Sequence, residues 1–296
     1  MNILKNIIGC GTALVTPFNN EKKIDFNKLD SLVSRQIDNG IDFLVPCGTT
    51  GESACISVDE HLDVVGSVIK SAGGKVPVVA GAGGYNTAHV IEMAKEVEKR
   101  GANAILSVVP YYNKPTQNGL YEHFKAIAGS VHIPVVLYNV PGRTGCNLLP
   151  ETVYKLSQID NIIAVKEASG NISQLVELAT LVSADFTILS GDDSITLPVI
   201  ALGGKGVISV ISNEMPKQMT EFVHACLDGN YPKALNLQKT LQPLMNMNFI
   251  ETNPLPVKTA MSMMGLLDEN FRLPLVPMLK ENRDKLQLCL KNMKLI

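Results

Sequence analysis

Eight short apolar, β-branched runs recur along this chain, each leading into a polar or glycine-bearing turn. In order they are Gly11–Thr16, Phe43–Cys47, Val76–Ala80, Ala104–Val109, Val135–Asn139, Ile162–Lys166, Thr187–Ser190 and Gly206–Val210. Amphipathic stretches with a period of about 3.6 residues fall between them: Lys28 to Asn39, Val58 to Ser71, Thr87 to Arg100, Gly119 to Ala128, Pro150 to Gln158 and Ile172 to Ser183. Gly40 and Gly101 stand just past two of these stretches, where helices favour ending. Uniform βα units laid down in succession close into a ring of parallel strands, so the pattern predicts a (β/α)8 TIM barrel. An open doubly wound sheet is the alternative reading of the same alternation. Beyond the last run the chain reads as helices alone: Pro232 to Met247, Pro256 to Leu267 and Leu275 to Met293. The expected organisation is a catalytic barrel over residues 1–229 and a C-terminal helical region over 230–296, with no low-complexity linker between them.

Composition removes several function classes. The chain is 46% hydrophobic and 18% charged over 296 residues, enough for a large core. A net charge of -2, with the charges dispersed, recommends neither nucleic acid nor a membrane surface as partner. Apolar runs such as Val131 to Leu137 are too short to span a bilayer, and Met1-Asn2-Ile3-Leu4-Lys5 does not open a signal peptide, so a cytoplasmic location is expected. The six cysteines include no CxxC pair, and the five histidines lie apart, which points to reduced thiols and to no metal.

Lys166 interrupts the apolar run Ile162-Ile163-Ala164-Val165-Lys166-Glu167-Ala168. A lysine at a strand's end can snorkel into solvent. Buried, its charged form is disfavoured, and the neutral amine can attack a carbonyl to form an imine. Barrel active sites gather at the carboxyl ends of the strands. There, alternation puts Val136 and Tyr138 on one face of the fifth strand, and Ala164, Lys166 and Ala168 on one face of the sixth. In a barrel, Tyr138 and Lys166 then point inward side by side, with small alanines leaving room for a substrate, while Glu167 faces the outer helices. A phenol beside an imine-forming lysine suits proton transfer.

Other strand ends carry weaker signals. In Cys47-Gly48-Thr49-Thr50-Gly51-Glu52-Ser53, glycines flank two hydroxyls and permit close approach to a ligand, or the segment is simply a capped turn. Tyr111 and Tyr112 form a loop pair that packing alone would explain. Arg143 offers a planar fork for a carboxylate, although an exposed loop arginine is the plain expectation. Gly81-Ala82-Gly83-Gly84 lacks the full dinucleotide pattern, and Gly203-Gly204-Lys205-Gly206 lacks the ending of a phosphate loop, so both read as turns. Asp192-Asp193 reads as a solvated helix cap rather than a cation site.

Taken together, Gly48-Thr49-Thr50-Gly51-Glu52, Tyr111-Tyr112-Asn113, Tyr138 to Gly145, Val165 to Ala168, Gly206 to Val210 and Asn253 to Lys258 closely resemble the dihydrodipicolinate synthase family of pyruvate-dependent lyases. The likeness runs through essentially the whole chain. Thr49 and Arg143-Thr144-Gly145 distinguish this pattern from that of the related sialic-acid lyases, which usually have serine and no such arginine. The resemblance implies that Lys166 forms an imine with pyruvate, and that the derived enamine adds to aspartate semialdehyde, with no cofactor. It implies that Tyr138, Thr49 and Tyr112 form a proton relay, Tyr112 being supplied across a dimer interface. Thr50, Gly191 and the backbone of Ile208 would serve pyruvate, Arg143 would receive the carboxylate of the aldehyde, and the assembly would be a homotetramer. Two other readings remain open at this stage: an aldolase for a different 2-oxo acid, and a catalytically silent barrel.

In members inhibited by lysine, the resemblance implies an effector site, of which this chain keeps Ser53, Ala54, His61 and Tyr111. It has Val58, Tyr85 and His89 where those members have histidine, asparagine and glutamate. Without the carboxylate that would meet the effector's amine, weak or absent feedback inhibition is expected.

Overall fold

The computed structural model describes residues 7–296, so the N-terminal segment Met1–Lys5 read above lies outside the described residues. The barrel begins β1 (Gly9–Ala13), α1 (Phe26–Asp38), β2 (Phe43–Val45), α2 (Val58–Ala72), β3 (Val79–Gly81), α3 (Thr87–Lys99), β4 (Ala104–Val108) and α4 (Gln117–Ala128). It continues β5 (Val135–Asn139), the short α5 (Pro141–Thr144), α6 (Pro150–Leu156), β6 (Ile162–Glu167), α7 (Ile172–Leu181), β7 (Thr187–Ser190), α8 (Thr196–Ala201), β8 (Gly206–Ser209) and α9 (Pro216–Leu227). Three helices follow: α10 (Tyr231–Met247), α11 (Leu255–Met263) and α12 (Lys280–Asn292).

All eight strands pair in parallel in the order β2-β1-β8-β7-β6-β5-β4-β3, and a parallel bridge between Leu44 and Val78 joins the two ends. The sheet is therefore a ring, and the open-sheet alternative is excluded. Alternation along each strand separates two cores. Ala13, Val45, Val79, Leu106, Val136, Ala164, Leu189 and Ile208 fill the ring, while residues such as Leu44, Ile105, Leu137, Val165 and Val207 meet the helices.

Local chemistry starts the helices where they are needed. Asp25 caps α1 by accepting from Lys28 N, and α2 opens with a capping box in which Ser57 and Glu60 exchange hydrogen bonds of 3.2 and 3.0 Å. The expected helix from Leu275 to Met293 begins only at Lys280, because Pro277 disfavours helical backbone at Val276 before it. Val257, Met261 and Leu267 pack on Val15, Leu32 and Val210, which lays α11 across the carboxyl-terminal mouth of β1 and β8.

Candidate active site

Tyr138 and Lys166 are register partners across the β5–β6 pair, both on the inner face of the ring. Lys166 Nζ lies 4.2 Å from the centre of the Tyr138 ring. Each residue is only 6% exposed, so the lysine does not reach out into solvent. Ala164 and Ala168 flank it with minimal bulk, and Gly191 completes the wall. A Cβ at 191 would stand 2.6 Å from the Ala168 Cβ and 3.1 Å from the Lys166 Cε, so only glycine fits without displacing the lysine.

The outward face of the same two strands locks this geometry. Glu167 points to α7 as expected, accepting from Asn139 Nδ2 at 2.9 Å, Gln174 Nε2 at 3.3 Å and Ser169 N at 2.6 Å. Asn139 Oδ1 in turn accepts from Leu148 N at 2.9 Å. Residues 139 and 167 each follow the inward pair by one position, so this buried polar network fixes where Tyr138 and Lys166 aim.

The turn after β2 is held in an uncommon shape. Cys47 and Glu52, neither of them glycine, have φ of 57° and 54°. Thr16 Oγ1 donates to Gly51 O at 2.6 Å, and the Asn253 side-chain amide donates to Thr50 Oγ1 at 2.9 Å. Glu52 is buried against Lys258 of α11, and both side chains have zero exposure. Burial pushes the Glu52 carboxyl up and the Lys258 amine down, each opposed by the charge of the other. Sequence reading did not single out Asn253 and Lys258 by their own chemistry, although Lys258 interrupts an apolar run just as Lys166 does.

A cavity of about 950 Å³ opens beside these groups, lined by Thr49, Tyr138 and Arg143. Arg143, on α5, donates from Nη2 to Asn253 O at 3.2 Å, which aims its guanidinium along the mouth. The positions expected for an effector, Ser53, Ala54, His61, Tyr85, His89 and Tyr111, line the same cavity. Tyr85 and Tyr111 meet edge to face, with ring centres 5.2 Å apart. His61 donates from Nε2 to Gly81 O at 2.8 Å, and burial holds its imidazole below the usual histidine range.

Not every expected residue joins this surface. Lys166, Thr50, Gly191 and Ile208 lie off the cavity wall; Ile208 is buried in β8 opposite Gly11. Tyr112 is 92% exposed with φ of 70° and does not line its own chain's cavity. The expectation for Asp192-Asp193 needs correction. Asp192 does cap a helical turn, accepting from Ser194 N, but Asp193 is buried rather than solvated. It accepts from Val210 N and Ile211 N at 3.0 and 2.9 Å, tying β7 to the end of β8, and desolvation pushes its carboxyl up to about 6. Among the described residues, no group of three or more His, Cys, Asp or Glu side chains is placed to hold a metal ion.

Comparison with known proteins agrees with this geometry. The sequence matches the dihydrodipicolinate synthetase family over residues 6–293. A relative from Koribacter versatilis, named 4-hydroxy-tetrahydrodipicolinate synthase, is 53% identical over 280 residues, covering 94% of this chain and 93% of its own length. One of the same name from Geobacter metallireducens is 49% identical over 288 residues, covering 97% and 99%. The crystal structure of dihydrodipicolinate synthase from Aquifex aeolicus has a TM-score of 0.96 at 44% identity, covering 98% of this chain and 99% of that one. With a ring of parallel strands, an inward lysine beside a tyrosine, and matches along nearly its full length, this chain belongs to the dihydrodipicolinate synthetase family.

Proposed function

We propose that this chain condenses pyruvate with L-aspartate 4-semialdehyde to give 4-hydroxy-tetrahydrodipicolinate, the first committed step towards diaminopimelate and lysine. The observation that carries the reading is the buried Lys166 amine facing the Tyr138 ring at 4.2 Å. Lys166 Nζ attacks the ketone carbon of pyruvate, and water leaves as the imine forms. A methyl proton is lost to give the enamine, whose terminal carbon adds to the aldehyde; the resulting alkoxide takes up a proton. The amine of the adduct then attacks the imine carbon, closes the ring and expels Lys166 as free amine. The imine is itself the electron sink, so the reading assigns no cofactor and no metal.

Tyr138, Thr49 and Tyr112 serve as the proton relay in this reading, with Tyr112 presented to the cavity of a second subunit. Its near-complete exposure on its own chain supports that role, and with it a homotetramer built from two dimers. Thr50 and the Ile208 backbone hold the pyruvate carboxylate, Gly191 leaves room at the imine, and Arg143 receives the semialdehyde carboxylate. The barrel of residues 1–229 carries the reacting groups, and the helical region 230–296 packs on it through α11. Among the described residues no helix is long and apolar enough to cross a membrane, in keeping with work in the cytoplasm.

Borohydride reduction in the presence of pyruvate, followed by peptide mass analysis, tests the reading. The expected result is a pyruvyl adduct on Lys166. A Lys166→Ala variant with unchanged turnover would exclude it. Comparison of aspartate semialdehyde with N-acetylneuraminate and 2-keto-3-deoxygluconate as substrates separates this synthase from an aldolase for another 2-oxo acid.

A further inference from the structure

We propose that Glu52 and Lys258 are positioning residues that hold the Gly48–Glu52 turn in the shape that grips the pyruvate carboxylate. The proposal rests on the imine reading above and assigns work to a contact that reading leaves unused. The turn needs holding. Both Cys47 and Glu52 bracket it in the left-handed region that L-residues avoid. Glu52 cannot relax while its side chain is tied down, and what ties it down is Lys258.

The tie is a closed cage. Lys258 Nζ donates to Glu52 Oε1 and, at 2.7 Å, to Asn270 O. The Phe18 and Phe271 rings cover the ammonium, with centres 4.4 and 5.1 Å away. Glu52 Oε2 is buried without a hydrogen-bond partner, and among the described residues Lys258 is the cation paired with the carboxylate, with Arg272 acting on it more weakly. The segment that carries Lys258 also reaches the turn at Thr50, through Asn253. Asn253, just before α11, and Lys258, on α11, therefore grip the turn at two points, two residues apart, and the hydroxyl assigned to the pyruvate carboxylate is one of them. The clamp makes no contact with Lys166 or Tyr138. Its influence should fall on the two residues the turn presents, Thr50 on the pyruvate carboxylate and Thr49 in the relay, and spare recognition of the semialdehyde.

A buried ion pair is by itself weak evidence for anything beyond folding, since apolar replacements are often neutral. The test exploits that property. Glu52→Gln keeps the side chain's volume, and Glu52→Gln/Lys258→Met removes both charges together. Each variant is followed by circular dichroism and thermal melting, by borohydride trapping on Lys166 across a pyruvate titration, and by steady-state kinetics. The expected result is a folded double variant whose half-saturating pyruvate rises about tenfold or more in both trapping and turnover. Its KM for the semialdehyde should stay within about threefold of the original protein. A pair that only props up the fold would not divide the two substrates in this way.

Failure of the two readings can be told apart. Absence of an adduct on Lys166 in the unaltered protein overturns the imine reading. An adduct there, with a folded double variant that half-saturates at the original pyruvate concentration, overturns the clamp alone. A fall in kcat with unchanged KM for pyruvate overturns it as well. So does unfolding of both variants, because the pair then belongs to the fold and not to the turn.

Discussion

Two lysines interrupt apolar runs in this chain, and the fold buries both, but it gives them opposite company. Lys258 is met by the Glu52 carboxylate, which holds its charge in place. Lys166 instead meets the face of the Tyr138 ring. Lys258 is held in an ion pair, whereas Lys166 has no carboxylate partner among the described residues. Removing only the phenol oxygen, with Tyr138→Phe, keeps the ring that packs on Lys166 and should lower kcat on the order of a hundredfold, the usual worth of one acid-base group. Steady-state turnover near the original value would take Tyr138 out of the relay. Lys166 and Tyr138 were legible in the sequence because strand alternation is local and their strands are consecutive. Asn253 and Lys258 were not, since their partners Thr50 and Glu52 lie 203 and 206 residues away and no local period reports such a contact.

At the scale of elements, the eight strands and helices α1–α4, α6 and α7 were readable in order, whereas the short α5 and α8, and α9, were not read as helices; the other errors fall at ends. Thr16 and Val109 were expected to extend strands that stop at Ala13 and Val108, because apolar character continues into the mouth of the ring after the ladder has ended. The helix contacts that join neighbouring units were less visible, and one of them carries a pH dependence. His123 on α4 is buried, with Nδ1 2.8 Å from Thr87 Oγ1 at the start of α3 and Nε2 without a partner. Desolvation lowers its pKa from 6.5 to about 4. The unfolded chain therefore takes up this proton first as the solution is acidified. The contribution is complete above about pH 6.5 and is lost as pH falls towards 4, amounting to about 2 kcal/mol after allowance for partial solvent screening. His123→Asn, which keeps a polar atom near Thr87, should remove that dependence. Urea unfolding at a series of pH values should show the stability gap between the two proteins narrowing by about that amount from pH 7 to pH 4. A constant gap would assign the acid sensitivity elsewhere.

For the whole molecule, closure of the ring is what lets residues from β5, β6 and the turn after β2 meet at one mouth. The shared cavity adds a consequence: Thr49, Tyr138 and Arg143 line the same surface as the effector positions. His89 stands where the resemblance expects a carboxylate to meet an effector's amino group, and the carboxylates Glu92 and Glu96 on the cavity wall stand about one and two helical turns further along α3. Millimolar lysine should accordingly leave the initial rate unchanged, and His89→Glu should begin to confer inhibition. Strong inhibition of the unaltered protein by lysine at or below that level would refute the assignment. The close seat of position 191 against Lys166 also bears on redesign. Nothing remains there to trim, so admitting a bulkier oxo acid means cutting into side chains that fill the ring, such as Leu189 or Ile208. The hole left behind would be felt as lost stability before any new specificity was gained.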